Sequence, residues 1–338
     1  MVAERVGKMN AMTKRERLEA AIRGEATDRV PVALWRHFPG DDYRPEDLAA
    51  AIVGFQRRYD YDFVKVTPTS SFSVADWGVR DEWRGNEEGT RVYTHYPIQS
   101  PDDWARLPDL DPRSGFLGAQ LKCLDLIHRE LGDDVPLIQT IFTPLGQAKH
   151  MAGERALIHM RQNPAAFKAG LEKITQATVR FIEEAKKTGI AGLFYALQQA
   201  SYTLTSPAEY AEFGKEYDLR VLATVGKAQG TWLNVLHLHG DDVMFDLVAD
   251  YPVQMWNWHD RDTPPTLREA LPKVKGAVCG GLSRESVMQR GTPDDVRRQV
   301  ADAIAQTGGR RLVVGTGCVT LVNTPESNLR AARTAVER

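Results

Sequence analysis

Eight short apolar runs alternate with longer amphipathic stretches along the chain, and this alternation constrains the fold more than any other feature. The runs are "VPVALW" (30–35), "YDFVKVTP" (61–68), "VPLIQTIF" (135–142), "IAGLFYAL" (190–197), "WLNVLHLHG" (232–240), "VQMWNW" (253–258), "GAVCGGLS" (276–283) and "RLVVGTGC" (311–318). Strands that are apolar almost throughout must be covered on both faces, which is the condition of a parallel sheet flanked by helices. Repeated through 338 residues, the pattern predicts an α/β fold: a single (β/α)8 TIM barrel over residues 1–338.

Helix starts support this parsing. Ser100, Ser206 and Thr292 each open a segment with a hydroxyl at the N-cap, proline at N1 and an acid at N3; "TPES" at Thr324 carries its acid one place earlier. A capped helix is also expected from Thr13 to a stop at Gly24. One segment, about 70–134, breaks the alternation and reads as a long insertion between the second and third strands. Within it, "WGVRDEWRGNEEGTRVYTHYPI" predicts two alternating strands about a polar turn, followed by a helix ending near Gly132. Excursions of this kind project from the C-terminal face of a barrel, where active sites lie.

Composition excludes several classes. Charges of both signs are interspersed to a net −2, with no basic block that could track a phosphate backbone, so no nucleic-acid partner is expected. No apolar run approaches the roughly 20 residues of a membrane span, and the N-terminus lacks the apolar core of a signal peptide. The expected location is the cytoplasm. Cys123, Cys279 and Cys318 are too few and too dispersed for a disulfide framework.

In a barrel of this kind, chemistry is carried at the C-terminal strand ends. Those ends offer Trp35, Arg36 and His37; Lys65 and Thr67; Gln139 and Thr143; Tyr195, Gln198 and Gln199; His237 and His239; Asn257, His259 and Asp260; Ser283; Thr316 and Cys318. Strand side chains alternate, so His237 and His239 point to one side. If that side faces the axis, Cys318 from the last strand can meet them. Two imidazoles and a thiolate form a zinc set with a fourth position open. The competing reading makes them pocket histidines bonded to carbonyls or to Asp241 and Asp242, with Cys318 a small buried hydrophobe. Arg36 is a candidate clamp for a carboxylate or phosphate, or else a partner of Asp41 or Asp42; His37 is a candidate acid or base. His259 could orient a metal ligand, and Tyr202 could donate to a substrate.

The C-terminal stretch "RGTPDDVRRQVADAIAQTGGRRLVVGTGCVTLVNTPESNLRAARTAVER" resembles that of the uroporphyrinogen decarboxylase superfamily, which includes zinc-dependent, corrinoid-linked methyltransferases. "RLEAAIRGEATDRVPV", "YPIQSPDDWARLPDLDP" and "LQQASYTLTSPAEYAEF" are similar too. The resemblance implies the barrel already parsed, with a deep pocket at its C-terminal face, and a homodimer.

Decarboxylases of the superfamily carry an arginine-rich "RQAGRY" after strand one, an aspartate after strand two and a histidine in "GHG" after strand eight. Here "WRHFPGDDYR" keeps Arg36 and Arg44 but not the motif, "TPTSS" has no acid, and Thr316 occupies the histidine's place. The methyltransferase branch binds zinc through a histidine and a cysteine one residue apart after strand five and a second cysteine after strand eight. His237 and Cys318 match this, while His239 stands where that branch has cysteine. One thiolate fewer makes a bound thiolate less electron-rich and polarises a bound water or carbonyl more strongly. The resemblance therefore implies methyl transfer between a corrinoid carrier, held on a partner protein, and a thiol or related small-molecule acceptor, with Zn2+ on His237, His239 and Cys318. Decarboxylation of a tetrapyrrole-like polyacid, a metal-dependent lyase and a non-catalytic binder are the alternatives.

Overall fold

The computed structural model describes residues 11–337. Its strands are β1 (Val64–Val66), β2 (Arg80–Glu82), β3 (Val92–His95), β4 (Leu137–Phe142), β5 (Gly192–Leu197), β6 (Val235–Leu238), β7 (Met255–Trp258), β8 (Ala277–Leu282) and β9 (Leu312–Thr316). Seven of them form one curled parallel sheet in the order β1-β4-β5-β6-β7-β8-β9, and every residue in those seven is buried. Helices cover the outer face; Pro164–Lys186, for example, buries Phe167, Leu171, Ile174 and Phe181.

The first apolar run departs from expectation. Residues 30–35 do not form a strand; only Val32 makes a bridge, to Val314 of β9. The cause lies in the backbone donors. Pro31 has no N–H, and the Val32 N–H is taken by the Asp62 carboxylate at 2.7 Å instead of by a neighbouring strand. The segment still closes the sheet: Val314 N and Ala33 N bond across it at 2.8 and 2.9 Å, and Asp62 N, two residues before β1, reaches the Val32 carbonyl at 2.9 Å.

Between β1 and β4 the antiparallel β2–β3 ribbon and the helix Gly115–Leu131, capped at Gly132, stand where the sequence placed them. Thr13, Ser206 and Thr292 form the expected capping boxes. Ser100 caps a 3-10 turn, Pro101–Arg106. Thr324 is a correction: the last helix, Glu326–Thr334, has Pro325 as its N-cap, and the Thr324 hydroxyl is buried without a partner.

A polar cluster lies among these apolar layers. Asp218, fully buried, accepts hydroxyl bonds from Tyr195 (2.8 Å), Tyr210 (2.6 Å) and Tyr251 (2.9 Å). Burial pushes its carboxyl up to about 6 against the pull of those three hydroxyls. The folded state therefore holds this proton more tightly than the unfolded chain. The resulting stabilisation is complete below the ordinary carboxylate range and is lost as pH rises through about 6. Asp218's own share of the unfolding free energy should fall by on the order of 2 kcal/mol between pH 4.5 and 7, while the buried histidines His37 and His150, held down to about 3 and about 4, act in the opposite sense; Asp218→Asn should therefore make the pH slope of stability in urea unfolding more positive by that amount. An unchanged slope in the variant would contradict the assignment.

Candidate metal centre and active site

His237 lies within β6, and His239 follows just past its end, where its N–H still bonds to the Leu197 carbonyl at 2.8 Å and prolongs the strand geometry. The register sets His237 beside Asn257 of β7. Two residues further on, His239 and His259 come side by side on the same face, with ring centroids 5.4 Å apart. Cys318 arrives from the far side, beyond β9. Its approach depends on Gly317: a Cβ there would stand 2.5 Å from His259 Cα and 2.8 Å from the Trp258 carbonyl, so glycine alone lets the two strand ends lie this close.

One donor atom from each of His237, His239, His259 and Cys318 lies within 4.8 Å of every other. A tetrahedral zinc ion with bonds of about 2.0–2.3 Å spaces its donors roughly 3.3–3.8 Å apart. The Cys318 Sγ to His239 Nδ1 separation is already 3.7 Å. Two further observations fit a metal. His259 Nε2 is buried and has no hydrogen-bond partner. Asn257 fixes the tautomer of His237: its amide donates to the Cys279 and Thr316 carbonyls at 2.9 and 3.0 Å, so its Oδ1 must accept from His237 Nδ1 at 2.7 Å. That leaves Nε2 of His237 with a lone pair free for a ligand. Burial would raise the Cys318 thiol, but the electrostatic pull of the neighbouring imidazoles, His237 foremost, overcomes it and holds Cys318 well below its ordinary range.

A cavity of about 230 Å³ opens beside the donors, walled by Trp35, Phe142, Phe194 and Tyr93. A wider outer cavity of about 730 Å³ shares Tyr93, His150, Gln198 and His239 with it. Ser70, Glu88, Thr90, Arg91 and Tyr93 of the segment between β1 and β4 line the inner space. Arg91 is itself neutralised by Asp42 and stacked on Tyr43, and Glu88 is bridged to Arg284. His37 lines the cavity, and burial, helped by the Lys65 charge, holds its imidazole down to about 3.

Two residues chosen from the sequence stand outside. Arg36 donates to the carbonyls of His37 (3.3 Å) and Val322 (3.2 Å) and lies over Phe38. Trp35 and His37 both face the cavity, so alternation turns the residue between them away. Tyr202 is 54% exposed, in the loop after β5. His259, read from the sequence as an orienting residue, instead stands among the donors. Two residues named only as strand-end positions had no role assigned. Asn257 was recoverable had the β6–β7 register been known, and Lys65 was signalled by a lone cation inside an apolar run.

These features define a class: a curled parallel α/β sheet whose C-terminal strand ends hold a nitrogen–sulfur donor cluster over a small enclosed cavity. Residues 13–338 match the family model for uroporphyrinogen decarboxylase (URO-D), and the chain belongs to that family. Among curated proteins it is similar to the methylcobamide:CoM methyltransferase MtbA of Methanosarcina mazei, 21% identical over 95% of this chain and 97% of that protein. It is also similar to the uroporphyrinogen decarboxylase of Christiangramia forsetii, 23% identical over 96% of this chain and 99% of that one. A solved methyltransferase from Methanosarcina mazei shares the fold with a TM-score of 0.83, at 18% identity over 96% of this chain and 98% of that chain. Among the described residues no helix is long and apolar enough to cross a membrane.

Proposed function

We propose that this chain is a zinc-dependent methyltransferase that moves a methyl group between a corrinoid carried by a partner protein and a small thiol or related acceptor. The observation that carries the reading is the convergence of His237, His239, His259 and Cys318 beside the inner cavity. Near full-length similarity to a methylcobamide:CoM methyltransferase supports it. His237, His239 and Cys318 would hold zinc with a fourth position that His259 yields to an acceptor thiol, bound there as its thiolate at neutral pH.

The chain's own residues supply the rest. Asn257 keeps the His237 lone pair directed at the cluster. Cys318 contributes the only anionic donor, so the set is more positive than one with two thiolates. Trp35, Phe142 and Phe194 exclude water from the acceptor. His37 is too weak a base to hold a proton at neutral pH; it serves as a neutral hydrogen-bonding group that orients the acceptor. The outer cavity is the route by which a corrinoid would approach.

A tetrapyrrole decarboxylase is disfavoured by the site. Thr67 and Pro68 follow β1 with no acid, and Thr316 is turned onto the Cys318 carbonyl. Elemental analysis and methyl transfer from methylcobalamin to thiols test the proposal. We expect about one zinc per chain. His259→Ala should retain the ion with affinity lowered about 10- to 100-fold, because His237, His239 and Cys318 remain. Failure to take up zinc, or zinc uptake with no methylated thiol, would overturn the reading.

A further inference from the structure

We infer that a small cavity behind Arg91, between the β2–β3 ribbon and the loop that follows β1, binds a monovalent metal cation through oxygen atoms of Asp42 and Asp81. The site is separate from the nitrogen–sulfur centre and does not rest on the methyl-transfer reading.

The cavity measures about 60 Å³, and Asp42, Asp81, Thr69, Ser71 and Gln120 supply its polar wall. Both carboxylates converge on one guanidinium: Asp42 Oδ1 accepts from Arg91, and Asp81 Oδ1 lies 3.9 Å from Arg91 Nε. The second oxygens are orphaned. Asp42 Oδ2 and Asp81 Oδ2 are buried without a hydrogen-bond partner among the described residues, on side chains only 1% and 8% exposed. Carboxylate oxygens removed from water with no donor are costly unless an ion or a proton takes the donor's place. Arg91 is the only cation among the described residues that either acid reaches. Arg44, also in the lining, is turned to Asp47 and is 73% exposed. Two carboxylates against one guanidinium leave one negative charge in excess. Burial outweighs Arg91 and pushes the Asp42 carboxyl up, a strain that a cation at Oδ2 would relieve.

The remaining wall suits a hard ion. Thr69 and Ser71 bring hydroxyl oxygens 3.2 Å apart. Gln120 gives its amide N–H to Gln139 Oε1 at 2.8 Å, which leaves its own carbonyl oxygen as an acceptor. No imidazole or thiol lines the space, so the donors are oxygens alone and select against zinc. Charge sets the valence: a monovalent ion brings the excess to zero, whereas a divalent one would leave a net positive charge buried beside Arg91. The volume admits one ion with about one water, whose share of the liquid is about 30 Å³. Such an ion would join the turn Asp41–Tyr43, the loop after β1 and strand β2. Arg91, which the two acids hold, also lines the inner cavity, so the ion braces a wall of the active site from behind.

The test is thermal unfolding of the purified protein at fixed pH and constant ionic strength in sodium, potassium or tetramethylammonium chloride, the last being too large for the cavity. Sodium or potassium should raise the midpoint saturably, by about 2 °C at tenfold excess over its dissociation constant, and tetramethylammonium should not. Asp81→Asn, which keeps the shape and removes the excess charge, should abolish the difference between the salts. Crystals of the wild-type protein soaked in thallium(I) acetate supply a readout that needs no variant: an anomalous peak is expected between Asp42 and Asp81. A proton on Asp42 is the other way to remove the charge, and it would leave stability indifferent to the metal. Equal midpoints in the three salts, a metal effect that survives in Asp81→Asn, or thallium absent from the two carboxylates would each overturn the proposal. Stabilisation by calcium or magnesium chloride with none by sodium or potassium would overturn it as well.

Discussion

Cys318→Ser is expected to strip the centre of its metal, with at least about a hundredfold loss of zinc affinity and loss of methyl transfer. Cys318 is the one donor in the cluster that is held as an anion. A serine hydroxyl stays protonated at neutral pH and is a poor ligand for a borderline-soft ion, so the substitution removes both charge and donor strength. It changes the volume little, and the surrounding core has no reason to move. Cys279→Ser is the control: Cys279 is fully buried on β8, outside the cluster, and burial holds its thiol well above the ordinary range. Elemental analysis and competitive chelation should show zinc retained in Cys279→Ser and absent from Cys318→Ser. Equal zinc in the two variants would remove the basis of the proposed centre.

Asp62→Ala is expected to cost about 3–5 kcal/mol of stability without touching the centre. Asp62 is completely buried at the opposite end of β1 from the cavity. Its carboxylate binds Arg17 at 2.7 Å, Arg29 at 2.7 and 3.0 Å and the Val32 N–H at 2.7 Å. Removing it leaves two sparsely solvated guanidinium groups short of a counter-charge and one backbone donor unpaired. Arg17 keeps Asp28, which it and two backbone N–H groups hold down to about 2 in spite of burial. The arginines are therefore not wholly abandoned, and the fold should survive at low denaturant. A reduced urea midpoint with unchanged zinc content is the expected pair of results; an unaltered midpoint would contradict the role given to Asp62. Asp62→Asn, which retains an acceptor for Val32, should lose less.

Much of the donor cluster was legible before any coordinates. His237, His239 and Cys318 could be brought together because alternation along a strand is local geometry and the fifth and eighth strands of a barrel both face its central axis. The inclusion of His259 was not, because it depends on β6 and β7 pairing His237 with Asn257; a slip of one residue would turn His259 outward. Lys65 presents the same difficulty. A cation in an apolar run signals something unusual, but whether it faces the cavity or the helix layer depends on the twist and pairing of β1. Arg36 could have been set aside by alternation with Trp35 and His37, had either been known to face inward.

The sequence by itself determined the α/β class, the positions of most elements and the family, because hydrophobic period, capping hydroxyls and short motifs are encoded within a few residues of one another. Tertiary structure decided which side chains share a space: that His259 completes the donor set, that Lys65 lines the inner cavity, and that Arg36 and Tyr202 turn away. It also decided that the first apolar run meets β9 by a single bridge, since a distant carboxylate, Asp62, takes the backbone donor a strand would have used. These are choices among partners far apart in the chain, and only the register between strands can make them.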